Sequence, residues 1–508
     1  MLAKIYSLTL IGMDCETVEV EVDISNGIGS FTVVGLGDTA IQESRERVRS
    51  AIKNTNYKFP LARITVNLAP ASIRKNGVFY DLPIALGVLI ARGQCKLKED
   101  ISKTLFVGEL ALNGELRHVT GVLAMAIHAK EKGFTRIVVP AQNGKEASLI
   151  RGIEVIPAHT LQEVVEFLNQ EKTIEAVEAL DITELQNSFD FPVDFAQIKG
   201  QHQAKRALEI AAAGGHNILL NGAPGSGKTL MAKGFQSILP KITLDEALET
   251  TKIYSIANKL PANTPLITQR PFRSIHHTAS AISIIGGGRI PMPGEISLSH
   301  KGVLFMDEFA EFSSQVLEVL RQPLEDKNIS VTRVNGSSTF PADFILIAAM
   351  NPCSCGFYGV PDTKKECICS AQQIQRYQKK ISGPILDRID LYIDISPVKY
   401  NQLTSSEDGE SSEIIQERVQ KAKDIQTQRF QKLKISSNSE MESKEIQDFC
   451  NIPEDAKQLL KLAVQQMNLS ARAYNRILKI SRTIADISGN NDITTDHVAE
   501  ALQYRKKG

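Results

Sequence analysis

The chain has 508 residues, which is enough for about two to four domains that each bury a core of their own. Lys plus Arg number 58, and so do Asp plus Glu, so the chain has no net charge. The overall charge therefore gives no indication that nucleic acid or a membrane surface is a partner. No stretch approaches the roughly 18 apolar residues of a membrane span, and no signal peptide is recognisable, so we expect a cytoplasmic protein without a membrane contact.

The first predicted region, residues 1–170, is an α/β domain. Short β-rich runs such as "VEVEVDI", "RITVNLAP" and "TRIVVP" alternate in it with helical stretches such as "TAIQESRERVRSAIKN" and "DLPIALGVLIARG". Residues 171–193 are acidic and predict a linker that can begin with a helix.

Much of the N-terminal region resembles the protease domain of the Lon family, through "NLAPASIRKNGVFYDLPIALGVLIA" and "LFVGELALNGELRHVTGVLAMAIHAKEKGFTRIVVP". The resemblance implies a Lon-protease-like (S5-like) fold. The serine of the Ser-Lys dyad is replaced around Asp81 and Leu82, and the lysine position falls near Leu123. A nucleophile without its activating partner is inert, so we expect a proteolytically inactive scaffold and reject an ATP-dependent protease.

The strongest motif of the next region, residues 194–400, is "GAPGSGKT", which follows the apolar strand "NILL" and opens the helix "KTLMAKGFQSIL". In this context the backbone N–H groups surround phosphates, and a chance glycine-rich turn is the alternative. The predicted nucleotide-binding residues are Gly222, Ala223, Pro224, Gly225, Ser226, Gly227, Lys228 and Thr229. Lys228 is expected to reach the terminal phosphates and Thr229 to coordinate Mg²⁺.

Two further strands end in polar side chains that suit ATP hydrolysis. The run "GVLFMDE" delivers Asp307, expected to bind Mg²⁺, and Glu308, expected to activate water, although alone it also fits a solvated strand end. The run "FILIAAMN" ends in Asn351, which can orient that water. The three elements in this order resemble the AAA+ ATPases, and the short buried strands predict a parallel sheet.

Two hairpins carry one arginine each. "IIGGGRIPMPG" contains Arg289, and "ISVTRVNGSSTFPADF" contains Arg333 next to a predicted Asn335-Gly336 turn. Both resemble the helix-2-insert and pre-sensor-1 hairpins of the AAA+ branch that includes magnesium chelatase and replicative helicases. The resemblance implies that both arginines line the channel of a ring and bind DNA, while the alternative is a pair of ordinary surface hairpins.

Four cysteines form two Cys-x-Cys pairs within an insert at residues 353–369: Cys353, Cys355, Cys367 and Cys369. Four thiolates can close a tetrahedral structural Zn²⁺ site. A disulfide or redox switch, or four free thiols, also fits the pattern. We expect zinc to brace the junction between the ATP sensor Asn351 and a DNA-facing or subunit-facing helix in the basic segment "QIQRYQKK", so that removing two of the cysteines affects assembly or coupling before nucleotide binding.

The last region, residues 401–508, predicts a polar loop, a charged helix and a helical lid.

Two arginines match AAA+ positions by resemblance, one before this region and one within it. Arg388 in "SGPILDRIDLYIDI" matches an arginine finger that completes the neighbouring subunit's site, and Arg472 in "NLSARAYNRILKISRTIADI" matches a lid sensor. Structural ion pairs are the alternative for both.

A Lon-like domain before a magnesium-chelatase-like AAA+ module resembles the ComM/YifB family along essentially the whole chain. The resemblance implies a homo-hexameric ATPase and helicase that uses ATP and Mg²⁺ to branch-migrate single-stranded, double-stranded or branched DNA in natural transformation. The second hypothesis is a magnesium-chelatase-type remodeller of a protein partner.

Overall fold

A computed structural model describes residues 2–180, 191–261, 264–288, 291–333, 336–360, 365–398 and 409–505. The chain forms two compact units, each built from the described parts of three stretches. The first unit comprises Met1–Asn187, Leu244–Thr268 and Val334–Thr339. The second unit comprises Ser188–Thr243, Gln269–Arg333 and Phe340–Gly508.

A seven-stranded mixed sheet forms the core of the first unit, in the order β3-β4-β2-β1-β5-β8-β9. Strands β1, β2 and β4 pair antiparallel, and the remaining neighbours pair parallel. The N-terminal strands are β1 Leu2–Ile11, β2 Asp14–Ser25, β3 Ser30–Val34, β4 Arg63–Ala69, β5 Thr104–Phe106, β6 Glu109–Leu110, β7 Leu116–Arg117, β8 Arg136–Pro140 and β9 Glu154–Ala158. The β-rich runs recognised in the sequence are therefore strands, because alternate apolar side chains face the core.

The helices of the N-terminal residues pack on this sheet. They are α1 Thr39–Asn54, α2 Asp81–Ala91, α3 Val122–Glu131, α4 Gly144–Ala147 and α5 Leu161–Leu168. Helix α2 is apolar all round and almost wholly buried, as a helix between a sheet and other helices must be. The helix considered for the start of the linker is absent from residues 171–180, where the N–H of Val177 donates to the carbonyl of Val155 on the edge strand β9. Residues 181–190 lie outside the described part of the chain.

The core of the second unit is a parallel sheet of five strands in the order β11-β14-β17-β10-β18. The three inner strands are short and mostly apolar, because both faces of the sheet are covered. The remaining strands are β10 Ile218–Gly222, β11 Phe272–Ile275, β12 Gly286–Gly287, β13 Met292–Pro293, β14 Val303–Met306, β15 Asn328–Arg333, β16 Gly336–Pro341, β17 Ile345–Met350 and β18 Leu391–Ile395. The prediction of a parallel sheet from "NILL", "GVLFM" and "FILIAAM" is confirmed.

Helices flank this sheet and form a C-terminal bundle, as predicted. They are α6 His202–Gly214, α7 Lys228–Phe235, α8 Leu244–Ile256, α9 Ala281–Ile285, α10 Glu295–Leu298, α11 Ser314–Val319, α12 Arg321–Asp326, α13 Ala371–Gln378, α14 Gly383–Leu386, α15 Ser412–Arg429, α16 Ser443–Phe449, α17 Glu454–Met467, α18 Ala471–Ile487 and α19 Thr495–Gln503. A buried ion pair fixes the bundle, since Arg429 and Arg482 both bind the carboxylate of Asp486.

Helix α8 belongs to the first unit although it follows the phosphate loop in sequence. It packs on α3, and the hydroxyl of Ser255 donates to the buried carboxylate of Glu146. The same carboxylate accepts the N–H of Leu123 at 2.9 Å and the side-chain amide of Asn143 at 3.2 Å. The contiguous domains predicted from the sequence place residues 244–256 in the ATPase region at 194–400 and so do not describe this arrangement.

Candidate ATP site

The predicted phosphate loop joins β10 to α7. Gly225 and Gly227 have φ of +76° and +91°, a left-handed conformation that favours glycine and turns successive N–H groups to one side. Gly222 is needed for another reason, because a Cβ there would lie 2.5 Å from the carbonyl oxygen of Ile395. The loop thus forms a cradle of N–H groups at the start of a helix.

The side chain of Lys228 is buried and lies within the loop. Its Nζ donates to the carbonyl oxygens of Gly222 and Ala223 at 2.7 and 2.9 Å, and to Oδ1 of Asn351 at 3.2 Å. Burial lowers the pKa of Lys228 from its ordinary value. The ammonium group is therefore bound to neutral oxygens that a phosphate oxygen can replace with stronger, charge-assisted hydrogen bonds.

Two predicted magnesium ligands are adjacent. Thr229 Oγ1 donates to Asp307 Oδ2 at 2.9 Å across the ends of α7 and β14. A hydroxyl and a carboxylate supply the hard oxygen ligands that Mg²⁺ prefers, so the residues present fit this ion. Asp307 also accepts the N–H of Glu308 on its other oxygen at 2.9 Å.

Glu308 lies beside a histidine to which the sequence assigned no role. Its backbone is left-handed, with φ of +51°, and its Oε2 lies 2.8 Å from Nδ1 of His277. The ring of His276 contacts that of His277 at a tilt of 36°, with the ring centroids 4.2 Å apart. Both histidines follow β11, which pairs in parallel with β14, so adjacent strands bring His277 to the end of the Asp-Glu strand. The sequence signal was the position of two histidines directly after a strand.

The two predicted hydrolytic arginines differ in their surroundings. Arg388 forms an ion pair with Glu325 and donates to the carbonyl oxygen of Pro384, and its side chain is only 9% exposed. Arg472 is exposed in the first turn of α18. The ion pair expected as the structural alternative for Arg388 is therefore present, with Glu325 as its partner.

A third arginine, which the sequence did not single out, joins the lid to the loop that carries Arg388. Arg476 of α18 is buried, donates to the carbonyl oxygen of Ile389 at 2.6 Å and lies 3.4 Å from Asp387. Its position one helical turn after Arg472 was the available signal. Arg476 thereby binds the lid to the residues that follow the C-terminal end of α14.

The predicted DNA-binding arginines are only partly covered by the structure. Arg289 lies outside the described residues, between β12 and β13. Arg333 is the last residue of β15, and its side chain is not described. Both hairpins are present as β12–β13 and β15–β16, and Asn335 of the predicted turn also lies outside the described residues.

The four cysteines meet in one cluster. Sγ of Cys353 lies 3.3 Å from that of Cys355 and 3.7 Å from that of Cys367, and the latter two are 3.6 Å apart. All four sulfurs lie within 4.8 Å of one another. Backbone N–H groups of Phe357 and Ile368 donate to Cys355, and the N–H of Phe357 contributes most to lowering its pKa to about 6.

The N-terminal positions that replace the Lon dyad lie in the core. Asp81, Leu82 and Leu123 are buried, and the carboxylate of Asp81 binds Nε of Arg47 at 2.6 Å. Burial raises the pKa of Asp81 to about 6. Neither a nucleophile nor an activating lysine occupies these positions, which agrees with an inactive scaffold.

Three models of one family match the chain. "Magnesium chelatase, subunit ChlI" matches residues 194–403, "Subunit ChlI of Mg-chelatase" matches residues 20–143, and "Magnesium chelatase, subunit ChlI C-terminal" matches residues 409–505. Together they cover both the ATP site and the lid.

Full-length relatives are similar as well. Competence protein ComM of Haemophilus influenzae is 45% identical over 507 residues, which is 99% of this chain and 97% of ComM. Uncharacterized protein YifB of Escherichia coli K12 is 41% identical over 99% of this chain and 97% of its own length. Lon protease of Geobacter metallireducens is 29% identical over 157 residues, which is 29% of this chain and 18% of the protease. Among the described helices, none has the length and apolar character that crossing a membrane requires.

Proposed function

The chain belongs to the magnesium chelatase ChlI family, in which it groups with ComM and YifB, and from this membership we propose that it is an ATP-driven DNA motor. Its proposed action is branch migration of DNA in homologous recombination during natural transformation, in the cytoplasm. The observation that carries the proposal is the convergence of Lys228, Thr229, Asp307 and Asn351 at one sheet edge in a chain similar over its full length to a competence protein.

In the proposed reaction, each residue of the ATP site has a separate task. The N–H groups of residues 222–229 bind the phosphates, and Lys228 exchanges its carbonyl partners for phosphate oxygens. Thr229 and Asp307 would hold Mg²⁺, which neutralises charge on the β- and γ-phosphates when bound. Glu308 accepts the proton of the attacking water, and Asn351 orients that water.

The proposed assembly is a homo-hexameric ring. Arg388 of one subunit would complete the site of the next, and an arginine finger supplied in this way contributes about 10³- to 10⁵-fold in rate. Arg472, which is exposed in the first turn of the lid helix α18, would bind the nucleotide of its own subunit. In the free chain the ion pair with Glu325 holds Arg388, so assembly has to exchange this partner for a phosphate.

Arg289 and Arg333 would bind single-stranded, double-stranded or branched DNA in the ring channel. Six copies of each would give a local basic surface although the net charge of the chain is zero.

Zn²⁺ is the third proposed cofactor. The sulfurs of Cys353, Cys355 and Cys367 lie 3.3 to 3.7 Å apart. A tetrahedral site with Zn–S bonds of about 2.3 Å separates its sulfurs by roughly 3.8 Å, whereas a disulfide needs about 2.0 Å. The geometry therefore favours zinc over the oxidised alternative.

The proposal is tested by branch migration of a synthetic three-strand junction and a four-way junction by purified protein with ATP and Mg²⁺. Wild type should move both junctions, and Glu308→Gln should bind nucleotide and DNA without moving either. If wild type moves neither junction and DNA does not change its ATP turnover, the motor proposal is rejected.

The second candidate is an ATP-driven remodeller of a protein partner. It is favoured by the matches of three ChlI models to most of the chain. DNA-stimulated ATP hydrolysis separates the two, because a remodeller should respond to its protein partner and be indifferent to DNA.

A further inference from the structure

The phosphate loop is in direct contact with the segment that carries the four cysteines, here termed the cysteine loop (residues 351–360 and 365–370). Gly356 of this loop has φ of +87°, and a Cβ built there would lie only 2.6 Å from Cδ and 2.8 Å from Cγ of Pro224. The backbone of the cysteine loop thus packs against the proline ring at the centre of the phosphate loop. A second contact joins the same two segments, where Asn351 binds Lys228 at 3.2 Å.

The cysteine loop has little regular structure to hold it in this position. Between β17 and α13 its described residues contain neither a helix nor a strand. Its hydrogen bonds include that from Gly356 N–H to Cys353 O at 3.0 Å and that from the side-chain amide of Gln378 to Pro352 O at 3.4 Å. A segment of this kind inside a compact unit needs another source of order.

The sulfur cluster is that source. Cys353 is fully buried and lies three residues before Gly356, and the other three cysteines converge on it from both ends of the loop. Four cysteine sulfurs at this spacing suit a tetrahedral structural metal site, and such a site converts its binding free energy into order of the surrounding chain.

We propose that zinc bound to Cys353, Cys355, Cys367 and Cys369 sets the nucleotide affinity of the ATP site, by holding Gly356 against Pro224 and so fixing the shape of the phosphate loop. Nucleotide binding and zinc binding are then coupled through one backbone contact. This inference rests on the proposed role of residues 222–229 in binding nucleotide and does not require that the protein acts on DNA. It differs from the expectation drawn from sequence, which placed the effect of cysteine removal on assembly first.

The sharpest test compares two glycines of the same loop. Gly359 has φ of +67°, and no described atom lies within 4 Å of the position of its Cβ, so Gly359→Ala introduces backbone strain without a clash. Gly356→Ala introduces similar strain and a clash with Pro224. We expect Gly356→Ala to keep its zinc and to bind a fluorescent ADP analogue about tenfold more weakly, and Gly359→Ala to bind it as wild type does.

A second pair of variants removes the metal. Elemental analysis should find one zinc ion per wild-type chain and none in Cys355→Ser,Cys367→Ser, whose Kd for the analogue should rise about tenfold. Cys450→Ser, which alters a buried cysteine of the lid outside the cluster, should retain both zinc and affinity. Binding of the analogue needs neither DNA nor hydrolysis, so failure of the motor proposal leaves this test intact.

Three results would overturn the inference. Wild type could contain no zinc, with thiol titration reporting disulfides or four free thiols in the cluster. The zinc-free variant could bind the analogue as tightly as wild type. Gly356→Ala and Gly359→Ala could weaken binding equally, which would leave the contact with Pro224 without effect.

Discussion

At the scale of single residues, His277 is the addition that the structure makes to the ATP site. Its Nδ1 lies 2.8 Å from the carboxylate proposed as general base. Lys228, Asp307 and Asn351 were predicted from the sequence because each stands in a local pattern that has one main structural outcome, and the structure brings them to one edge of the sheet. His277 reaches Glu308 from a different strand, and a contact between strands leaves no local pattern.

We predict that His277→Ala lowers kcat for ATP hydrolysis about tenfold with little change in KM, because the carboxylate of Glu308 loses the imidazole that lies beside it. His277→Asn should recover part of the loss, since its side-chain amide can donate a hydrogen bond to the carboxylate. His276→Ala is the matched control, because the Nδ1 of this ring contacts Thr278. Equal losses in both variants would mean that the effect is structural.

A pH dependence is expected from Asp343, whose carboxylate binds Nζ of Lys301 at 2.6 Å and of Lys327 at 2.7 Å. Although burial opposes it, the two ammonium groups hold the pKa of Asp343 well below its usual range. A lowered folded-state pKa contributes stability that is present above the unfolded-state pKa of about 4 and is lost as the pH falls below it.

Asp343→Asn should therefore reduce the free energy of unfolding by about 1 to 3 kcal/mol at pH 7. The difference in Tm between wild type and variant should stay constant from about pH 8 to 5 and shrink below about pH 4. Because the folded-state pKa lies far below 4, part of the difference should remain at pH 3, and a difference of undiminished size at pH 2 would show that the ion pairs are not its cause.

At the scale of elements, the strands and the helices α1 and α7 follow from periodicity, whereas the position of α8 does not. Helix α8 carries polar and apolar residues all round, so its sequence does not show which unit it joins. The buried carboxylate of Glu146 decides it, through the hydroxyl of Ser255. The cysteine cluster is intermediate, since the approach of its four cysteines to one another was predictable from the sequence, whereas the contact of Gly356 with Pro224 was not.

We predict that Glu146→Ala destabilises the first unit by about 3 kcal/mol, because the N–H of Leu123 and the amide of Asn143 lose a buried acceptor. Helix α8 should also become accessible, seen as faster protease cleavage within residues 244–256 under native conditions. Glu175→Ala, at an exposed position, is the control and should change neither quantity. Cleavage at the wild-type rate would show that Glu146 does not hold the helix.

At the scale of the whole molecule, the family and the fold class predicted from the sequence are confirmed. The sequence of one chain does not show which residues of a neighbouring subunit its side chains would contact in a ring. Arg388 illustrates the point, because in the single chain it binds Glu325 and its proposed partner belongs to another subunit.

Mixing two inactive variants tests the ring. Lys228→Ala lacks a working phosphate loop and Arg388→Ala lacks the proposed finger, so each alone should be nearly inactive. In a head-to-tail ring with equal, random occupancy, about a quarter of the sites would combine an intact loop with a neighbour's Arg388 and regain activity. Mixing Arg388→Ala with a Lys228→Ala,Arg388→Ala chain should restore nothing. No recovery in the first mixture would place Arg388 outside the catalytic machinery.

Helix α8 is part of the first unit although it is encoded within the ATPase region, and this constrains how the two regions can be exchanged by recombination. Each unit consists of three separate stretches of chain, so the gene encodes neither unit as one continuous cassette. A recombination event that exchanged only residues 1–193 between two relatives would join one parent's α3 and Glu146 to the other parent's α8 and Ser255. Viable chimaeras should therefore be those in which both segments come from the same parent, and in this protein the N-terminal domain and its ATPase region are expected to have been passed on together.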